Sequence, residues 1–296
     1  MTRLTAKDFD PEVLELFDKY VHGQLSRRDF ISRATRYAVA GATGASLLAN
    51  LSPSFAAPMV AADDKRIKAA FVEYSSPDGY GKLRGYLVQP AAAKGKLPAV
   101  LVVHENRGLN PHIEDITRRL ALEGFLAFAP DALFPLGGYP GDEDKARELF
   151  AKLDQAKTRA DFLTAEQILK SHPASNGKVG VVGFCWGGGM ANYLATVAPD
   201  LAAAVPFYGM QPPAADVPKI KAPLLIHDAG NDARVLAGWP AYEAALKASG
   251  AHYEHFVYPG VEHGFNNDTT PRYDEAAAKL AWQRTVDFLR QKTATS

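Results

Sequence analysis

The chain has 296 residues, 47% hydrophobic and 22% charged, the balance of a globular protein with enough apolar material for a sizeable core. Lysine and arginine together number 33, as do aspartate and glutamate, so no net field draws the chain to nucleic acid or to an anionic membrane. A single cysteine excludes an internal disulfide and any metal site built from several thiolates.

Residues 1–56 read as a segment apart from the domain expected over 57–296. Ser26-Arg27-Arg28-Asp29-Phe30-Ile31 resembles the twin-arginine export motif, a charge-free stretch rich in Ala and Gly follows at 37–51, and Ser54-Phe55-Ala56 offers small residues ahead of Ala57. The resemblance implies cleavage before Ala57 and a periplasmic or secreted protein handled by the twin-arginine machinery. The apolar stretch is too short and too weak for a stable membrane span. A competing expectation is a structural helix docked on a cytoplasmic protein, because Val13, Leu14, Leu16, Phe17 and Tyr20 fall at helical spacing.

From residue 68 onward, strand and helix signals alternate. Segments 69–75 and 85–89 read as opening strands joined by a turn around Pro77-Asp78-Gly79. Residues 98–103 form a near-continuous apolar run, the mark of a strand covered on both faces. A helix is expected at 113–123, ended by Gly124, and a strand at 125–129. After a loop rich in Gly and Pro come helices at 142–153 and 158–170, then a strand at 178–182 and a helix at 190–198. Strands at 202–208, 223–227 and 253–258, with helices at 239–249 and 273–290, complete the chain. This order predicts an α/β protein with a doubly wound, mostly parallel sheet of about eight strands and helices on both faces.

The strand at 178–182 runs into Gly183-Phe184-Cys185-Trp186-Gly187-Gly188, the G-x-nucleophile-x-G elbow of an α/β-hydrolase with cysteine at the nucleophile position. Active sites in such sheets lie past the carboxyl ends of the strands. Asp232 and His263 follow later strands in the order nucleophile, acid, histidine. A histidine takes the thiol proton while a carboxylate fixes its tautomer. Asp228 follows the same strand as Asp232 but sits early enough to cap the turn instead. The oxyanion-hole amides are expected from Trp186 and from Asn106 in His104-Glu105-Asn106-Arg107-Gly108. Glu105 in that loop would perturb the thiol's ionisation. His104 is expected to be structural, His22, His112 and His172 solvated or helix-terminal, and His252 and His255 a poor metal pair.

These two motifs, together with Gly230-Asn231-Asp232 and Glu262-His263-Gly264-Phe265, resemble the dienelactone hydrolase family (carboxymethylenebutenolidases) over residues 68–291. The resemblance implies a triad of Cys185, His263 and Asp232, with Glu105 paired to the resting thiol, and neither a metal nor an organic cofactor. It also implies an arginine four residues after the histidine to clamp a substrate carboxylate, and here that position holds Asn267. Neutral esters and lactones are therefore expected over dienelactone. Arg107, Phe134, Tyr139, Tyr208, Phe265 and Asn267 are the expected substrate contacts. The function expected is hydrolysis of small carboxylic esters or lactones through a cysteinyl acyl-enzyme. A thioesterase or acyltransferase, or a non-catalytic thiol sensor or binding protein, stands as the alternative.

Overall fold

The computed structural model describes residues 3–38, 42–55 and 57–295. The N-terminal segment folds into three short helices, α1 (Pro11–Val21), α2 (Arg27–Ala34) and α3 (Gly44–Leu51). Their starts are written in the sequence: the side chains of Asp10, Ser26 and Thr43 each accept a hydrogen bond from a backbone N–H in the first turn. The apolar stripe of α1 meets α2 and α3 in a core of its own, where Val13, Phe17, Phe30 and Leu51 are buried. Each such side chain contributes about 1.5–3 kcal/mol by leaving water.

The rest of the chain forms one eight-stranded sheet in the order β1-β2-β4-β3-β5-β6-β7-β8. β1 (Ile67–Ser76) and β2 (Gly81–Pro90) pair antiparallel, and β2 joins β4 antiparallel. β3 (Leu97–Val103), β4 (Leu126–Pro130), β5 (Ser175–Phe184), β6 (Ala203–Phe207), β7 (Leu224–Ala229) and β8 (Tyr253–Tyr258) run parallel. α4 (Pro111–Leu122) separates β3 from β4, and α5 (Glu143–Phe150) and α6 (Gln155–Ser171) precede β5. α7 (Trp186–Val197), the short α8 (Ala233–Leu236), α9 (Trp239–Ser249) and α10 (Glu275–Thr293) follow.

The central strands are apolar on both sides because both faces are covered. One core joins Ile113 and Ile116 of α4 to Phe288 and Leu289 of α10, and the other joins Phe162 of α6 to Leu194 of α7 and Leu246 of α9. The sheet and the helices on its two faces match the expected architecture. Most elements shift by a few residues at their ends, and two of these shifts bear on the site. β7 continues through Ala229, which puts Asp228 inside the strand. α7 begins at Trp186, four residues before the expected start, and so takes in three glycines.

Those glycines are poor helix formers, and packing explains them. A Cβ on Gly187 would lie 2.3 Å from the carbonyl oxygen of Val103, and one on Gly183 would lie 1.9 Å from the carbonyl oxygen of Gly187. α7 can therefore start against the ends of β3 and β5 only where side chains are missing. That contact sets the 104–107 loop beside Cys185.

Candidate active site

Cys185 stands between β5 and α7 with φ 57° and ψ −114°, a conformation L-residues seldom adopt. Its N–H donates to the carbonyl of Phe207 at 3.0 Å, which holds the turn in place. Tyr208, next to that carbonyl at the end of β6, has φ 38°, and these two are the non-glycine residues with positive φ among those described. Strain of this kind persists only where the surroundings over-determine it. The amide of Trp186 lies in the first turn of α7, where helical N–H groups lack an i−4 partner.

The loops after β7 and β8 bring Asp232 and His263 together, both buried, with Nδ1 of His263 on Oδ2 of Asp232. Oδ1 of Asp232 accepts from the N–H of Val235 at 3.2 Å, so the carboxylate also caps α8. Burial drives the His263 pKa down, but the neighbouring Cys185 and Asp232 outweigh it and lift it to about 10. Burial raises the thiol's pKa, but the imidazoles of His263 and His22 more than reverse this and bring it to about 5. Asp228 is occupied elsewhere, 2.9 Å from Nε2 of His255. The acid facing His263 is therefore Asp232.

His104 is fully buried, its Nδ1 donating to the carbonyl of Glu105 at 2.6 Å and its Nε2 accepting from the amide of Ala132 at 3.2 Å. Burial holds its pKa down at about 4, and its ring stacks on Trp186, which suits a structural role. Oε2 of Glu105 accepts from Nδ2 of Asn267 at 3.0 Å. Besides His263, the thiol is instead faced by His22, whose Nε2 lies 3.5 Å from Sγ.

His22 corrects the sequence reading. It is helix-terminal, as expected, but it is not solvated: as the C-cap of α1 it enters the site edge-on to His263, with ring centroids 4.7 Å apart. Its Nδ1 lies 2.8 Å from the carbonyl oxygen of Asp18, an acceptor only, so Nδ1 carries a proton and Nε2 faces Sγ. Burial lowers the His22 pKa, and Cys185 and Asp18 more than offset it, for a net rise. Nη2 of Arg234 sits 3.0 Å from Nε2 of His22 and 3.4 Å from Nδ1 of His263. Among the described residues one group of metal-ligating type gathers, Cys185, His22 and His263, with one ligand atom of each within 4.8 Å of the others. His112 is likewise helix-terminal, at the start of α4, but buried, 3.1 Å from Asp268.

Two clefts of about 500 Å³ each meet at Cys185, His22 and Asn106. The first is lined by Arg107, Tyr139 and Asn267 and by Phe17, Leu48 and Phe55 of the N-terminal segment. The second is more apolar, lined by Phe150, Trp186, Tyr193, Tyr208 and Met210. Two expected contacts fall outside both. Phe265 is fully buried against Tyr258 and Tyr208, and the Phe134 ring lies under the guanidinium of Arg84. Arg107, an expected substrate contact that lines the first cleft, is largely buried, bonded to the carbonyl oxygens of Asn106 and Val21 and facing Glu143.

The motif read as an export signal is engaged in the fold. Oγ of Ser26 caps α2, Arg27 pairs with Asp144 at 3.1 Å, and Phe30 is wholly buried. Ala56, in the expected cleavage site, lies outside the described residues, as do residues 39–41 of the apolar stretch. No helix among the described residues is long and apolar enough to cross a membrane.

Known proteins share both parts of the chain. The model of the dienelactone hydrolase family matches residues 83–293, and a model described as YqhI-like matches residues 1–40. A Salmonella typhi protein named "Putative carboxymethylenebutenolidase" is 34% identical over 248 residues, covering 79% of this chain and 91% of its own. A Methylorubrum extorquens protein of the same name is 30% identical over 282 residues, covering 90% of this chain and 95% of its own. The uncovered tenth is shorter than the stretch before Ala57, so that similarity reaches into the N-terminal segment. Among solved structures, one titled "Putative Dienelactone Hydrolase", from Klebsiella pneumoniae, is 32% identical with a TM-score of 0.68, covering 76% of this chain and 99% of that one.

Proposed function

The chain belongs to the dienelactone hydrolase family, and from that premise we propose that it hydrolyses neutral carboxylic esters or lactones through an acyl-enzyme on Cys185. The observation that carries this reading is the elbow: a strained Cys185 at the start of α7, with His263, held by Asp232, lining the same cleft. The thiolate adds to the substrate carbonyl carbon, and the oxyanion forms where the amides of Trp186 and Asn106 are expected to point. As the tetrahedral species collapses, the C–O bond breaks and the departing alkoxide takes a proton from an imidazolium. His263, steadied by Asp232, then draws a proton from the water that cleaves the thioester.

The preference for neutral substrates rests on the cations of the first cleft. Arg27 already faces Asp144 at 3.1 Å, Arg107 faces Glu143 at 3.5 Å, and Arg272 faces Asp18 at 3.7 Å. A substrate carboxylate would have to displace one of these carboxylates to gain a charge-assisted contact. The test is a panel of nitrophenyl esters, neutral lactones, thioesters and dienelactone, run with the protein and with Cys185→Ala. Ester or lactone turnover that vanishes in Cys185→Ala is the result expected. Full activity in that variant would remove the covalent mechanism, and transfer to an added alcohol in preference to water would make the enzyme an acyltransferase.

A further inference from the structure

The N-terminal segment is fastened to the domain at the point that carries His22. The carbonyls at the end of α1 lack helical partners, and the domain supplies them: Nη1 of Arg147 donates to the carbonyl of Tyr20 at 2.6 Å, and Nδ2 of Asn106 to that of Val21 at 2.9 Å. Cations at a helix C-terminus also complement its dipole. Arg272, on the loop that carries His263, and Arg234, on α8 just after Asp232, face Asp18, and the Arg272 guanidinium lies 5.0 Å from the centre of the Phe17 ring. Farther along, the amide of Ser54 donates to the carbonyl of Thr269 at 2.8 Å, and those of Met59 and Val60 donate to the carboxylate of Asp115.

These contacts leave the thiol between two acid–imidazole pairs, Asp232–His263 from the domain and Asp18–His22 from α1. Meanwhile Glu105, the carboxylate that the family resemblance assigns to the thiol, is held by Asn267. We propose that His22 is a second catalytic histidine, and that residues 3–55 remain with the enzyme to supply it. His22 and His263 share the proton that leaves Sγ, Nε2 of His22 releasing its hydrogen bond from Arg234 to take it, and the same pair returns it to the departing alkoxide. The ionisation of Cys185 then depends on an imidazole from α1 in place of a carboxylate from the loop after β3. Other charged groups face this centre: Asp18 on α1, Arg234 on α8, Asp232 and Arg272 on flanking loops, and Glu105 and Arg107 after β3. The export reading of Ser26–Ile31 and this proposal part at Ala57, because cleavage there carries His22 away.

The experiment measures the pH dependence of Cys185 alkylation by iodoacetamide, followed by intact mass in the full-length chain. It needs no substrate, so it stands whether or not the ester-hydrolase reading holds. His22→Gln, checked for folding by circular dichroism, should raise the alkylation midpoint by about one unit or more, about a tenfold loss of thiolate below the midpoint. Asp18→Asn should move it the same way by less. In His22→Gly, added imidazole should restore alkylation at low pH, a rescue that a merely structural histidine would not give. A midpoint that ignores His22→Gln and follows Glu105→Gln overturns the proposal. So does an active enzyme isolated from its native source with Ala57 as its first residue.

Discussion

A thiol at about pKa 5 should betray itself by how little its reactivity depends on pH. The perturbation is a pH series, and the assay is exchange with a small aromatic disulfide against a free reference thiol such as N-acetylcysteine. Two effects oppose one another. At pH 6 a free thiol of pKa about 8.5 is about 0.3% ionised, whereas Cys185 would be about 90% ionised, an advantage of about 300-fold in thiolate. Lower basicity costs nucleophilicity, and with a Brønsted slope of about 0.45 over about 3.5 units that penalty is about 40-fold. Ionisation therefore wins at pH 6, where Cys185 should react about sevenfold faster than the reference. By pH 9 the reference is mostly ionised and Cys185 should be about 30-fold slower, with the two curves crossing near pH 7. Access to the clefts changes the height of the Cys185 curve but not its slope. A rate for Cys185 that climbs about tenfold per unit between pH 6 and 8, in parallel with the reference, would refute the reasoning.

Gly187→Ala should destabilise the protein by about 1–3 kcal/mol or more in chemical denaturation, because its Cβ lands 2.3 Å from the carbonyl oxygen of Val103. Gly189→Ala, whose nearest contact is 3.5 Å, should cost far less, and equal losses would mean that the start of α7 is not closely packed. Asn267→Arg should not create affinity for an anionic lactone. Its guanidinium would pair with Glu105, and Thr269 would lose the Oδ1 acceptor it uses now, so dienelactone kcat/KM should not rise while stability falls.

The parts of this molecule that sequence made legible are those whose local chemistry admits one solution. The apolar run ending at Val103 had to be a covered strand, and Gly183-x-Cys185-x-Gly187 had to be a sharp turn, because both glycines abut backbone. Asp232 and His263 followed from the order of strands. Aromatic positions were harder. Phe265 lies two residues from His263 and Phe134 lies just past β4, but adjacency along the chain does not say which side of a loop faces a cleft. The N-terminal segment was hardest. Ser26-Arg27-Arg28-Asp29 reads as an export motif and equally as a capped helix start, since Ser26 and Asp29 are the pair that closes a first turn. The spacing of Val13, Leu14, Phe17 and Tyr20 promised an amphipathic helix without naming what it would cover. A signal for His22 was present in Asp18, one helical turn earlier on the same face, the acid–imidazole pairing seen again in Asp232 and His263. What no local pattern carried was the contact between residues 22 and 185.

The meeting of two clefts at one sulfur has a consequence for the order of events. In an acyl-enzyme, the acyl group would fill one cleft and the departing alcohol would vacate the other. Water would then arrive by the emptied passage while the acyl group stays lodged in its own. Congestion in the leaving-group passage would slow the second half of the cycle without changing the first. Bulky alcohols would therefore act as product inhibitors whose grip tightens once the enzyme is acylated.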